Sequence, residues 1–167
     1  IDSSGNILIG KTGTSDADVG SVINATQMRQ SQSGTTDHDF HDFYRGTDGS
    51  LSRVGNIRTT GSSTAYNTSS DYRLKENVVY DWDATTRLKQ LKPARFNFIV
   101  DPDTTVDGFL AHEAQAVVPE AVTGTKDEVD GDGNAVMQGI DQSKLVPLLV
   151  KTIQELEARI TAVSYTH

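Results

Sequence analysis

Asn67-Thr68-Ser69-Ser70-Asp71-Tyr72-Arg73-Leu74-Lys75-Glu76-Asn77-Val78 is the stretch at which this chain changes character. Upstream, the sequence is rich in Gly, Ser and Thr and has few aliphatic clusters. Downstream come compact apolar runs, a hairpin pattern and one long amphipathic helix. At the seam a hydroxyl, Ser70, and an amine, Lys75, stand five positions apart. On a regular strand or helix that spacing sends the two side chains in different directions. Only a turn at Asp71-Tyr72, or a neighbouring chain, can bring them together.

Composition sets the bounds. A chain of 167 residues holds one or two small domains. With 35% hydrophobic and 7% aromatic residues, one large core for the whole length is not expected. The net charge of −8, with basic residues scattered, argues against binding nucleic-acid backbones or anionic membranes through bulk charge. There are no cysteines, hence no disulfide framework and no thiolate metal site. No apolar run reaches the roughly 18 residues of a membrane span, and no basic-then-apolar signal segment opens the chain. An opening Ile in place of Met reads as a fragment of a longer parent. The polar ending Ser164-Tyr165-Thr166-His167 carries no signal.

Residues 1–69 read as short β segments between turns. Gly5-Asn6-Ile7-Leu8-Ile9-Gly10 and Ser21-Val22-Ile23-Asn24-Ala25 are brief apolar strands, and Leu51, Val54 and Ile57 punctuate Gly49 to Arg58. A monomer of this composition buries too little area to offset chain entropy. The region is therefore either disordered or gains its core from other copies of itself. Its Phe, Tyr and Ile content favours the second, an intertwined trimeric β-fibre. His38-Asp39-Phe40-His41-Asp42 invites a metal, but His38 and His41 share a face only on a helix and the surroundings are not helical. A polar strand or loop is the reading preferred, with no metal ligand and no cofactor assigned. Thr59 to Ser70 has the hydroxyl-rich composition of an exposed, extended connector, suited to a linker or a processing site.

Downstream, the alternation from Leu74 to Tyr80 predicts a strand. Asp83 to Pro93 predicts a short helix with Asp83 as N-cap, Leu88 and Leu91 on one face and Pro93 as stop. Ala94 to Val100 predicts a strand with Phe96 and Phe98 on one side, followed by a turn at Asp101-Pro102-Asp103. Gly108 to Ala111 reads as another strand, His112 to Val118 as a helical turn, and Ala121 to Gly124 as a strand. Val129 to Ile140 reads as two strands around a Gly-Asp-Gly-Asn turn. Asp130, Asp132 and Asn134 alternate there as in a calcium loop, but Ala135 stands where the glycine belongs and the closing Glu is absent, so a plain hairpin is preferred.

The last element is a helix over about 143–163. Val146, Ile153 and Ile160 are seven apart, as are Leu149, Leu156 and Val163, an a/d heptad ladder. Two and a half heptads are too few for stability alone. Leu at d by itself tilts toward a dimer, so the ladder does not specify a trimer. Pro147 must lie in the first turn. The wide face at Leu145, Leu148 and Leu149 suits packing on its own domain, and the narrower end from Ile153 to Val163 suits self-association.

Four ordered blocks carry a resemblance. They are Ser69 to Val78; Leu88-Lys89-Gln90-Leu91-Lys92-Pro93 with Phe96-Asn97-Phe98; Gly108-Phe109-Leu110-Ala111-His112-Glu113-Ala114-Gln115 with Val118-Pro119-Glu120-Ala121-Val122; and Ile140 to Lys151. Together they resemble the intramolecular chaperone auto-processing domain, the S74 peptidase family, from Ser70 to about Ile160. Such domains end phage tail spikes and fibres. His112 stands where many relatives have Gln, a position outside the catalytic pair.

The resemblance implies an α+β chain: residues 1–69 as the end of a β-rich fibre (a triple β-helix client), and residues 70–167 as a small mixed α/β chaperone domain whose C-terminal helix packs in a trimeric coiled coil. It implies a homotrimer that drives folding of the upstream fibre segment and is then released by self-cleavage, with Ser70 as nucleophile and Lys75 as general base. The expected setting is a virion tail fibre that reaches a host-surface receptor, with the chaperone domain shed in the host cytoplasm and with neither nucleic acid nor membrane as partner. The alternative is a non-enzymatic trimerisation cap or receptor-binding tip.

A Ser/Lys dyad needs a neutral lysine. A free lysine amine titrates at about 10.4, so Lys75 must be desolvated or set near other cations. Arg73 could help, and Asp71 and Glu76 would oppose if close. Attack by the Ser70 hydroxyl on the preceding carbonyl passes through a five-membered ring and an ester, cutting Ser69–Ser70. Cutting Ser70–Asp71 requires another geometry.

Overall fold

The computed structural model describes residues 7–9, 20–23, 28–31, 36–47 and 50–165. Gly5, Asn6, Gly10, Asn24, Ala25, Gly49 and the terminal Thr166-His167, all named in the sequence reading, lie outside them. The chain divides into two compact units, Ile1–Val78 and Val79–His167. Taken together they are mixed α/β, with small antiparallel sheets and a C-terminal helix.

The first unit holds two three-stranded antiparallel sheets. In one, β1 (Ile7–Ile9), β2 (Gly20–Ile23) and β3 (Met28–Ser31) lie in chain order, with Ile7 opposite Ile23. The sequence reading missed β3, because Met-Arg-Gln-Ser has a single apolar residue and no alternation to read. In the other, β4 (His38–Thr47), β5 (Ser50–Thr60) and β6 (Ser63–Thr68) form a meander.

The connector reading of Thr59 to Ser70 needs correction. The segment is extended and largely exposed, but it is paired: Thr59 lies opposite Thr64, and Asn56 opposite Asn67. Its threonines suit a strand. Gly61, at φ 56°, supplies the left-handed first residue of the two-residue turn between β5 and β6.

This meander is held by polar groups. Asn56 is buried and satisfied at both ends, donating to Asp39 and accepting from the Asn67 amide at 2.9 Å. Arg53 bridges Asp39 and Asp42 at 2.9 and 3.0 Å, and Arg58 meets Asp37 at 2.9 Å. Phe43, Tyr44, Leu51, Val54 and Tyr66 all stand exposed, and among the described residues of the β4–β6 meander only Asn56 is buried. His38 and His41 sit on β4 at the two sides of a register shift after Asp39. Among the described residues, no three His, Cys, Asp or Glu side chains group as metal ligands.

The second unit has a small apolar core of Ala84, Ala114, Val118, Ala121, Val122, Leu145 and Leu148, flanked by Trp82, Leu88, Leu91, Phe109 and Ile140. Helix α1 (Ala84–Leu88) starts as expected at Asp83, whose carboxylate accepts the Thr86 N–H at 3.0 Å. Strands β7 (Ala94–Phe98) and β8 (Asp101–Gly108) form a hairpin. Phe96 and Phe98 do share a side, their rings edge to face at 5.3 Å. The Arg95–Asp107 pair at 2.7 Å ties the strands together.

The hairpin corrects two expectations. Its turn falls at Ile99-Val100, and Asp101 already pairs with Phe98 across an irregularity in the register. Gly108 ends β8, and α2 (Ala111–Gln115) follows almost at once, so Gly108 to Ala111 is no separate strand.

The strand expected over Leu74 to Tyr80 is also absent. Residues 75–83 are irregular, with Val78, Val79 and Tyr80 exposed. Alternation alone cannot make a strand without an edge to pair with, and no described strand pairs here. Further on, β9 (Val122–Thr123) pairs with β10 (Gly139–Ile140). Between them, the expected two-stranded hairpin shrinks to a single bridge, Val129 to Ala135. The Asp130 carboxylate closes that loop by accepting the N–H groups of Asp132 and Asn134, both at 2.9 Å.

Helix α3 (Val146–Ser164) has Pro147 in its first turn, as expected, and follows a short turn capped by Asp141. It has two distinct faces. Leu145, just before it, and Leu148 and Thr152 within it are buried against the unit's own core. The heptad ladder of Val146, Leu149, Ile153, Leu156, Ile160 and Val163 is exposed along its whole length, Ile153 by 64% and Ile160 by 68%. An apolar groove of about 430 Å³ opens beside Leu149, lined also by Leu88, Leu91, Pro93, Phe109 and Leu145.

Glu155, one turn beyond Thr152, reaches the start of α1. Its carboxylate accepts the N–H groups of Ala84 at 2.9 Å and Thr85 at 2.8 Å, together with the Thr85 hydroxyl. A helix start leaves such N–H groups without intrahelical partners, so a side chain 70 residues away completes the cap. The Thr85 hydroxyl and then the two N–H groups hold the carboxyl down, from 4.5 to about 2. Since the folded value lies below the unfolded one, the stabilisation is complete above about pH 4.5 and drains away as pH falls toward 2. Glu155→Gln should therefore lower the melting temperature at neutral pH and flatten its fall between pH 4.5 and 2. Circular dichroism melts across that range test it, and superimposable parent and variant curves would refute the cap.

Candidate active site

The seam is anchored on its upstream side. Ser69 donates its N–H to the Val54 carbonyl at 3.0 Å and its hydroxyl to the Arg53 carbonyl at 2.9 Å, so it is held against β5. Ser70 is the first residue free of that strand. Asp71 then caps a tight 3-10 turn over Tyr72–Leu74, accepting the Arg73 N–H at 2.9 Å. The turn closes with Leu74 N–H to the Asp71 carbonyl and Lys75 N–H to the Tyr72 carbonyl, both at 3.1 Å. Lys75 leaves it with extended backbone.

This turn brings Lys75 Nζ to 2.7 Å from Ser70 Oγ, within one chain. Of the two routes the sequence left open, a turn or a neighbouring chain, the turn suffices for the contact. At this distance an ammonium donates to the hydroxyl oxygen, and a neutral amine would accept the hydroxyl proton in the same place. Both residues are exposed. Asp71 is engaged by Arg73, whose Nε and second guanidinium nitrogen reach its two oxygens at 2.8 and 2.9 Å. That pairing, with the Arg73 side chain first and its N–H second, holds the Asp71 carboxyl below its usual range.

Sequence reasoning named Ser69, Ser70, Asp71 and Lys75. It missed the bidentate Asp71–Arg73 pair, whose signal was an Asx N-cap beside an arginine at i+2.

A serine hydroxyl bonded to a lysine amine is the contact that a Ser/Lys mechanism would require. Residues 70–123 match the family model Peptidase_S74, chaperone of endosialidase. The match opens on Ser70 itself and takes in Lys75. Over this segment the match supports an S74 intramolecular chaperone domain, and with it a chaperone role. Among curated proteins none matches the chain.

Proposed function

We propose that this chain is a self-releasing intramolecular chaperone: it trimerises, assists folding of the β-rich segment upstream of Ser70, and then cuts itself beside that residue. The single observation that carries the cleavage is the 2.7 Å contact between Lys75 Nζ and Ser70 Oγ at the start of the family match. In the reaction, neutral Lys75 takes the Ser70 hydroxyl proton as Oγ attacks the Ser69 carbonyl carbon. The Ser69–Ser70 C–N bond then breaks, and the Lys75 ammonium returns the proton to the leaving Ser70 nitrogen. Water hydrolyses the resulting ester, restoring the Ser70 hydroxyl and leaving a carboxylate on Ser69. Ser69's two hydrogen bonds to β5 favour this bond over Ser70–Asp71, because they fix the carbonyl's own residue.

Assembly supplies the gate. The heptad stripe of α3 is exposed in a single copy, and so are Phe43, Tyr44 and Tyr66 of the β4–β6 meander. Burying both in a homotrimer supplies the apolar area that one copy lacks. Closure around the exposed dyad would exclude water and favour the neutral amine. The same exposed stripe would also serve a purely structural trimer cap or fibre tip, which is the competing reading. The virion setting, the host receptor and the shedding of the domain go with the proposed fibre client.

The mass of the purified protein tests the function. Two fragments whose masses add to the chain plus one water, with the break at Ser69–Ser70, are expected. One species at 18.1 kDa in fully assembled protein would leave only the structural cap.

A further inference from the structure

Resting on the dyad just proposed, we propose that Asp71 and Arg73 are its positioning residues. They lock the turn that delivers Lys75 to Ser70 and keep a carboxylate off the lysine. Asp71 does two things at once. Its Oδ1 caps the turn through the Arg73 N–H, and its two oxygens take the Arg73 guanidinium as a fork. Both partners lie among the four residues between nucleophile and base, so the pair fixes the path of the backbone across them.

The second role is electrostatic. A free carboxylate beside Lys75 would favour the ammonium, which cannot act as a base. Arg73 occupies that carboxylate on both oxygens. The other charged group on the turn is Glu76. On β5 behind it, Arg53 is already paired with Asp39 and Asp42. Exposed ion pairs contribute little to global stability, so disrupting this one should alter cleavage and leave the fold intact.

The test is the single-turnover cleavage rate of the full chain across pH, with oligomeric state followed by light scattering. Asp71→Ala and Arg73→Ala should each slow cleavage by about 10-fold to 100-fold, the scale expected for a misplaced reactive group, while assembling like the parent. Asp71→Asn keeps the cap acceptor and should recover part of the rate. Arg73→Ala frees the carboxylate and should move the alkaline midpoint of the rate profile upward, which a merely structural residue would not do. Parental rates in both alanine variants overturn the proposal, as does slowing that follows loss of assembly in proportion. Ser70→Ala and Lys75→Ala run alongside: if they cleave like the parent, the dyad itself fails, an outcome distinct from failure of the pair.

Discussion

Ser70→Ala should leave one full-length band where the proposed reaction of the parent gives two, because no other group in the contact can attack the Ser69 carbonyl. Lys75→Ala gives the same result more gradually. Positioned proton transfer is worth about 10²–10⁴-fold, so residual cleavage over long incubation is permitted. Lys75→Arg is the sharper variant. A guanidinium can still donate to Ser70 Oγ, as Lys75 does at 2.7 Å, but it does not lose its proton in proteins and cannot serve as base. Loss of cleavage in Lys75→Arg, with assembly intact, assigns Lys75 as base. Parental cleavage in that variant would reduce the contact to a structural hydrogen bond. Gel bands and intact mass on freshly purified chains provide the measurement.

Ile153→Asp should dissociate the proposed trimer and remove cleavage with it. Ile153 stands 64% exposed in a single copy, in the middle of the α3 stripe. Burying an isoleucine contributes about 1.5–3 kcal/mol relative to leaving it exposed, and a trimer collects that three times. An aspartate there forfeits the contribution and adds the cost of burying like charges side by side. The monomeric fold should survive, because the face that holds α3 to its own unit is the other one, with Leu145, Leu148 and Thr152 buried. Leu148→Asp is the comparator and should unfold the second unit. Sedimentation or light scattering reads the first effect and circular dichroism the second. A trimeric Ile153→Asp would show that α3 is not the assembling element, and a monomeric variant that still cleaves would remove the gate while leaving the dyad.

Much of the candidate site was legible from residue types. A serine and a lysine five apart inside a recognisable block marked the pair, and Asp71-Tyr72 was named as the place where a turn could join them. The turn's type and lock were not legible. They depend on one aspartate spending its oxygens on both the Arg73 N–H and the Arg73 guanidinium, and many side chains compete for such a local bond. The errors in the fold have a common cause. Leu74 to Tyr80 and Gly108 to Ala111 have strand-like composition, but a strand needs a neighbouring edge, and pairing is a property of the tertiary structure. The hydroxyl-rich run before Ser70 shows the reverse, a linker composition that β5 recruits as a strand.

By itself, then, the sequence determined the Asp83 cap, the Phe96/Phe98 pairing and the heptad ladder of α3, and it singled out Ser70 and Lys75 as the pair to examine. These rest on short-range periodicity and local capping, which adjacent residues encode in full. Tertiary structure alone decided that Leu149, read with Leu145 and Leu148 as facing its own unit, stays exposed with the ladder, that Glu155 completes the start of α1 from 70 residues away, and that the span between Ser70 and Lys75 folds back until their side chains meet at 2.7 Å. Each of these depends on where remote or competing groups end up in space, and no run of neighbouring residues specifies that.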